Sequence, residues 1–110
     1  MEKYNILLTK SNPDMVHQKF VEYGLDRFAT IGMSLNKNKK YVVQLKSNSP
    51  SGVYGSKRTY GKKIHFGDIR YQDYTFHLDE IRRDNFRSRN HKWSDAEVFT
   101  PMWCSYYLLW

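Results

Sequence analysis

Tyr41-Val-Val-Gln-Leu-Lys46 and Thr59-Tyr-Gly-Lys-Lys-Ile-His-Phe66 are two short runs rich in β-branched and aromatic residues, joined by a stretch that carries Pro50, Gly52 and Gly55. Side chains of this kind favour a pleated, half-buried surface, and the Pro and Gly residues between them favour chain reversal, so the pair predicts an antiparallel hairpin. Gly67 follows directly and is expected to break the second strand before Asp68, turning the chain sharply out of the sheet.

Downstream of the hairpin, Thr75 or Asp79 can cap a helix running from about residue 78 to 90. Asp79 and Glu80 stand early and Arg87, Arg89 and Lys92 late, which matches the helix dipole. At about 100° per residue, Tyr74, Leu78, Ile81 and Asn85 fall on one side with Phe86 at its edge, and this is the expected core face. Arg82 and Arg89 fall on that side, whereas Arg83 and Arg87 point outward. An arginine on an apolar stripe needs an acceptor, either an internal carboxylate such as Asp68 or Asp73 or an external ligand in a groove. Past the helix, Trp93-Ser-Asp-Ala96 suggests another helix start and Pro101 interrupts. Trp103, Tyr106, Tyr107, Leu109 and Trp110 then form a bulky terminal segment that either closes the core or anchors a partner.

Upstream, Ile6, Leu7 and Leu8 lie in a run from Tyr4 to Thr9 that reads as a first strand, ended by Ser11-Asn-Pro-Asp14. From Asp14 the residues Met15, Val16, Phe20 and Tyr23 recur near helical spacing, and Gly24 suits the end of that helix. Residues 26 to 35 show no clean period and read as loop with room for some 3₁₀ or helical turn, followed by the basic connection Asn36-Lys-Asn-Lys-Lys40. The expected fold is α+β in a single domain over residues 1–110. A small antiparallel sheet from residues 4–9, 40–46 and 59–66 packs against the central helix at 78–90, with an extra N-terminal helix and an aromatic C-terminal segment.

Length and composition bound the function. With 110 residues, 40% of them hydrophobic and 16% aromatic, the chain fills one core and does not resemble a disordered segment. Eighteen Lys and Arg against eleven Asp and Glu leave a charge of +7, a standing attraction for phosphates or acidic surfaces and equally a solvated face. Cys104 is the only cysteine, which excludes an intrachain disulfide or a zinc site of several thiolates and fits a reducing, intracellular setting. The expected role of Cys104 is that of a small buried hydrophobe. No secretory signal is visible at the N-terminus, and the apolar run from Met102 to Trp110 is about half the length needed to span a bilayer. No membrane contact and no cofactor are expected.

The residues Ile64-His-Phe-Gly67, Tyr71-x-Asp-Tyr-Thr-x-His-x-Asp-x-x-Arg82, Arg89-x-His91 and Leu108-Leu-Trp110 carry a resemblance. Over residues 60 to 110 the chain resembles an uncharacterised family of small proteins from large DNA viruses of algae and amoebae and from some phages. Trp93, Pro101 and Trp103 follow the same pattern. The chain departs from it by stopping at Trp110, by a short linker around Lys92, and by residues 13 to 38, which look like an insertion. The resemblance implies a viral protein with an α+β core and assigns no reaction.

The expected function is therefore that of a small basic, non-enzymatic structural or binding protein of the virion. It would act as a minor capsid or cement-like component or as a capsid–genome contact, and be present in host cytoplasm or nucleus during assembly. Its partners would be capsid or other virion proteins. The alternative is sequence-nonspecific binding of DNA or RNA through phosphates by Lys57, Arg58, Lys62, Lys63, Arg83 and Arg87, interleaved with Tyr54 and Tyr60, while Arg82 and Arg89 serve as structural or groove arginines. The least favoured reading is a metal-dependent nuclease built from His65, His77, His91, Asp73 and Asp79. No spacing among these is diagnostic of metal ligation, and no catalytic or metal residue is assigned.

Overall fold

The computed structural model describes residues 2–46 and 61–110. Tyr54, Lys57, Arg58 and Tyr60 lie outside the described residues. The order of elements is α1 (Glu2–Leu7), α2 (Pro13–Glu22), β1 (Ala29–Met33), β2 (Lys39–Leu45), β3 (Lys63–Asp68), α3 (Tyr74–His77), α4 (Glu80–Arg89) and α5 (Pro101–Cys104). Short 3₁₀ turns cover Leu25–Arg27 and His91–Asp95, and a π-helical turn, Ser105–Leu109, continues α5.

The three strands form one antiparallel sheet in the order β1-β2-β3, so the α+β class with a small sheet is correct. The registers Ala29↔Leu45, Ile31↔Val43 and Met33↔Tyr41, with Tyr41↔Phe66 and Val43↔Ile64, place alternate residues of all three strands on one face. That face carries the buried Ala29, Tyr41, Val43, Leu45, Ile64 and Phe66. Opposite it stand Val16 and Phe20 of α2 and the terminal Trp103, Cys104, Leu108 and Leu109 in the same core. The aromatic C-terminal segment thus closes the core. Cys104 is fully buried and burial pushes its thiol up to about 12.

Helix α2 begins as its sequence suggests. The Asn12 side chain accepts from the Met15 amide, Pro13 stands in the first turn, and Gly24 adopts a φ of 73° just beyond the helix end.

Several expectations are overturned. Residues 4–9 do not form a strand: Glu2–Leu7 is helical, only Leu7 of the apolar run is buried, and Ile6 and Leu8 stay exposed. Lys3 of α1 donates to the carbonyls of Ser34 and Asn36, which ties this short helix to the β1–β2 turn. The place on the sheet belongs instead to residues 29–33, in the stretch expected as loop, where Ala29, Ile31 and Met33 turn inward. Gly67 does not end β3, which runs on to Asp68 with Gly67 at a φ of 81°. Pro101 does not interrupt the last segment; it opens α5 behind Thr100, whose hydroxyl accepts from the Trp103 amide. Finally, the sheet is covered by α5 and the π-turn, while α4 buries no residue fully.

Beneath α3 lies a buried polar network. Lys40 Nζ donates to Asp73 Oδ2 at 3.0 Å, with both side chains essentially inaccessible to solvent. Asp73 Oδ1 accepts from the Thr75 amide at 3.0 Å and from the Thr75 hydroxyl. The Thr75 hydroxyl lies 3.1 Å from that of Ser11, which accepts from the Tyr41 hydroxyl at 2.7 Å. A single relay of donors, Tyr41 to Ser11 to Thr75 to Asp73, satisfies every hydroxyl and ties β2, the α1–α2 turn and the start of α3 together.

Candidate functional site: a basic aromatic cleft

Asp79 caps α4, its carboxylate accepting from the amides of Ile81 and Arg82, but the helix faces a different way from that expected. Leu78 and Ile81 are 57% and 74% exposed, and Arg82 and Arg89 are exposed with them. The inward stripe is Arg83, Phe86, Arg87 and Asn90, at the same i, i+3, i+4, i+7 spacing. The cause is aromatic. Phe86 stacks on Trp110 with centroids 4.4 Å apart and planes 6° from parallel, and meets Trp93 edge-on at 6.0 Å. The Arg83 guanidinium lies 4.6 Å from the Tyr74 ring centroid and that of Arg87 lies 5.4 Å from Tyr106, where Arg87 Nη2 also donates to the Trp110 carbonyl at 2.9 Å. Guanidinium planes on tyrosine faces replace the aliphatic contacts that Leu78 and Ile81 were expected to make. The internal carboxylate partners expected for Arg82 and Arg89 are taken, Asp73 by Lys40 and Asp68 by Arg70.

Arg82 and Arg89 instead line a cleft of about 550 Å³ between α4, the end of β3 and the C-terminal segment. Phe66, Phe86, Trp93 and Trp110 supply its apolar wall, and Lys39, Arg82 and Arg89 its positive charge. Gly67 also lies on the lining and brings β3 close to Leu109. The one acidic side chain of the lining is that of Asp68. Arg70 donates to it from Nε and Nη2 and holds it at about 2, so it stays ionised and engaged. Arg82 has only a long contact, 3.4 Å, to Gln72 Oε1, and among the described residues no ion pair engages Lys39, Arg82 or Arg89. A cleft of this size, with flat apolar walls and unpaired cations, suits a planar ring carrying anionic groups.

The other candidate residues are dispersed. Lys62 and Lys63 are exposed at the start of β3, at the opposite end from Asp68 and roughly 17 Å away along the strand. His65 Nδ1 bonds the Ser34 hydroxyl at 2.7 Å, and His77 Nδ1 accepts from the Asp79 amide at 2.9 Å. The His77 ring lies 5.3 Å from Trp110, and burial, aided by Arg82, lowers its proton affinity. Asp73 is enclosed with Lys40, and His91 is exposed in the following turn. Among the described residues no three His, Cys, Asp or Glu side chains are placed to hold a metal ion, and no helix is long and apolar enough to cross a membrane.

Sequence reasoning missed Trp93, Trp110 and Lys39 as cleft residues. Trp110 offered the one available signal, since a terminal aromatic can reach back across a preceding helix.

A family model matches residues 29–90, from β1 to the end of α4. It describes DUF5754, a family of unknown function. The chain belongs to this family. The match takes in all three strands and both walls of the cleft contributed by β3 and α4. Residues 29–38, expected as part of an insertion, fall inside the matched region. No curated protein and no solved structure matches the chain.

The inverted helix phase reverses the expected roles of the arginines. Arg87→Ala should cost about 1–2 kcal/mol, from the lost charged hydrogen bond to Trp110 and the lost cover of Tyr106. Arg82→Ala and Arg89→Ala should stay within about 0.5 kcal/mol of the parent. Urea melts of the three variants check this, and an Arg82 or Arg89 variant destabilised as much as the Arg87 one would contradict the packing of α4.

Proposed function

We propose that this member of the DUF5754 family is a non-enzymatic binding module for single-stranded nucleic acid, holding an unpaired base in the cleft with its flanking phosphates on Lys39, Arg82 and Arg89. The observation that supports the reading is the pairing of aromatic walls with cations that form no ion pair among the described residues. Aromatic stacking is worth about 1–3 kcal/mol per base whatever the base, and phosphate contacts carry no sequence information, so binding is indifferent to sequence. Within the family pattern that resembles small viral proteins, such a module belongs in the virion, as a minor capsid component touching the genome. Lys62 and Lys63 at the far end of β3 extend the basic track for a longer strand.

Two of the three tryptophans line the cleft, so their fluorescence reports occupancy. A short oligothymidylate should quench it, with log affinity falling by about 2 per decade of salt if three phosphates are engaged at roughly 0.7 each. The Arg82→Gln/Arg89→Gln variant should lose most of the affinity while melting as the parent does. Undiminished affinity in that variant, or affinity independent of salt, would remove the nucleic-acid reading.

A further inference from the structure

Beyond the cleft, the opposite flank of the inward stripe of α4 gathers three cations. Lys19 of α2 and Arg83 of α4 share the Tyr74 ring, at 5.9 and 4.6 Å from its centroid. Arg87 lies one helical turn after Arg83, over Tyr106. All three side chains are half-buried, and burial together with the charges of Arg87 and Arg83 lowers the proton affinity of Lys19. The Nε atoms of Arg83 and Arg87 are shut off from solvent and have no hydrogen-bond partner among the described residues.

Two carboxylates and two phenols complete the surroundings. Asp73 is already neutralised by Lys40, and Glu22 accepts from Gln18 at 3.1 Å; Tyr23 and Tyr107 stand beside Arg87 and Glu22. Residues 47–60, outside the described part, contain no Asp or Glu that could supply the missing charge. Three partly desolvated cations that form no ion pair among the described residues, with Glu22 the one neighbouring carboxylate not held by a cation, keep a net positive charge that an anion relieves.

We propose that Lys19, Arg83 and Arg87 form a phosphate site, separate from the cleft and divided from it by Phe86. The Arg83 guanidinium over Tyr74 and that of Arg87 over Tyr106, one of whose Nη atoms is engaged by the Trp110 carbonyl, leave Nη donors for an anion, and Lys19 adds a point charge from α2, a combination suited to the several oxygens of one phosphate group. The neighbouring tyrosines keep the cations in place and limit hydration, which strengthens each contact.

The test titrates the isotopically labelled full chain with inorganic phosphate at pH 7.5, against chloride at equal ionic strength, while following the Arg side-chain and Lys19 ammonium resonances. Saturable shifts at Lys19, Arg83 and Arg87 with phosphate alone are expected. Lys19→Gln should weaken them about tenfold, and Arg82→Gln/Arg89→Gln should leave them unchanged. If Arg83→Gln fails to fold, Arg83→Lys, which keeps the charge and loses the fork, should still weaken phosphate binding. A second arm uses an oligonucleotide with and without a 5′-phosphate. Displacement of inorganic phosphate only by the phosphorylated strand assigns a terminal monoester, displacement by both assigns the diester backbone, and displacement by neither assigns free phosphate. Shifts that grow linearly, appear equally with chloride or survive Lys19→Gln overturn the site.

Discussion

Asp73→Ala should cost the protein about 3–5 kcal/mol, a large part of the 5–15 kcal/mol that holds a domain of this size together. The substitution leaves the Lys40 ammonium buried with its paired carboxylate gone, removes the cap on the Thr75 amide, and breaks the relay from Tyr41 through Ser11 and Thr75. Chemical denaturation should show an early midpoint, or a chain unfolded at room temperature. Lys40→Met should be damaging for the converse reason, while the double variant Lys40→Met/Asp73→Leu should recover much of the loss, because an apolar pair leaves no charge stranded. A double variant no better than Asp73→Ala alone would show that the hydroxyl relay, not the ion pair, carries the stability.

The same pair has a pH signature. Burial lowers the proton affinity of Lys40 below its usual 10.5, and this outweighs the opposing pull of Asp73. Between the lowered folded value and 10.5 the unfolded chain therefore binds more protons at this position, so its contribution makes stability rise with pH across that window and level off above 10.5. Lys40→Met should abolish that rise.

Gly67→Ala should cost about 2–5 kcal/mol. A φ of 81° lies where an L side chain is strained by roughly 1–3 kcal/mol, and an added Cβ would stand 2.9 Å from Leu109 Cδ1 and 3.1 and 3.2 Å from Lys40 Cδ and Cβ. Leu109 and Lys40 are both buried, so neither has room to retreat. Gly67→Ala/Leu109→Ala relieves the nearest contact but keeps the backbone strain and opens a cavity, so it should not restore stability. Denaturant midpoints decide it, and a Gly67→Ala protein within about 0.5 kcal/mol of the parent would mean that β3 relaxes at this point. Because Gly67 lies on the cleft, a folded variant should also bind oligothymidylate more weakly.

The hairpin and helix α2 were legible because their signals are local. β2 and β3 carry dense β-branched and aromatic runs, and α2 carries a capping Asn12, Pro13 and a terminal Gly24. β1 was not legible, since Ala29-Thr-Ile-Gly-Met33 contains a Gly and an Ala and gains its extended form from pairing with β2. The run Ile6-Leu-Leu8 misled for the opposite reason: three consecutive apolar residues fit strand and helix equally, and the sheet edge they would have joined is occupied by β1.

The cleft was half visible. The arginines of α4 stood out as two unequal pairs, and their assignment inverted because the wheel ranks Leu78 and Ile81 above arginine for burial. That ranking ignores what stands opposite. Tyr74, Tyr106 and Trp110 offer ring faces, which receive guanidinium and phenyl planes better than branched aliphatics do.

By itself the sequence determined the α+β class, the basic charge and the capped start of α4, all of which depend on composition and on residues within a turn or two of one another. Only the tertiary structure decided which strand completes the sheet, which flank of α4 faces the core, and that Lys40 meets Asp73. Each of these is a contact between residues far apart in the chain, won by pairing and ring stacking that no local preference encodes.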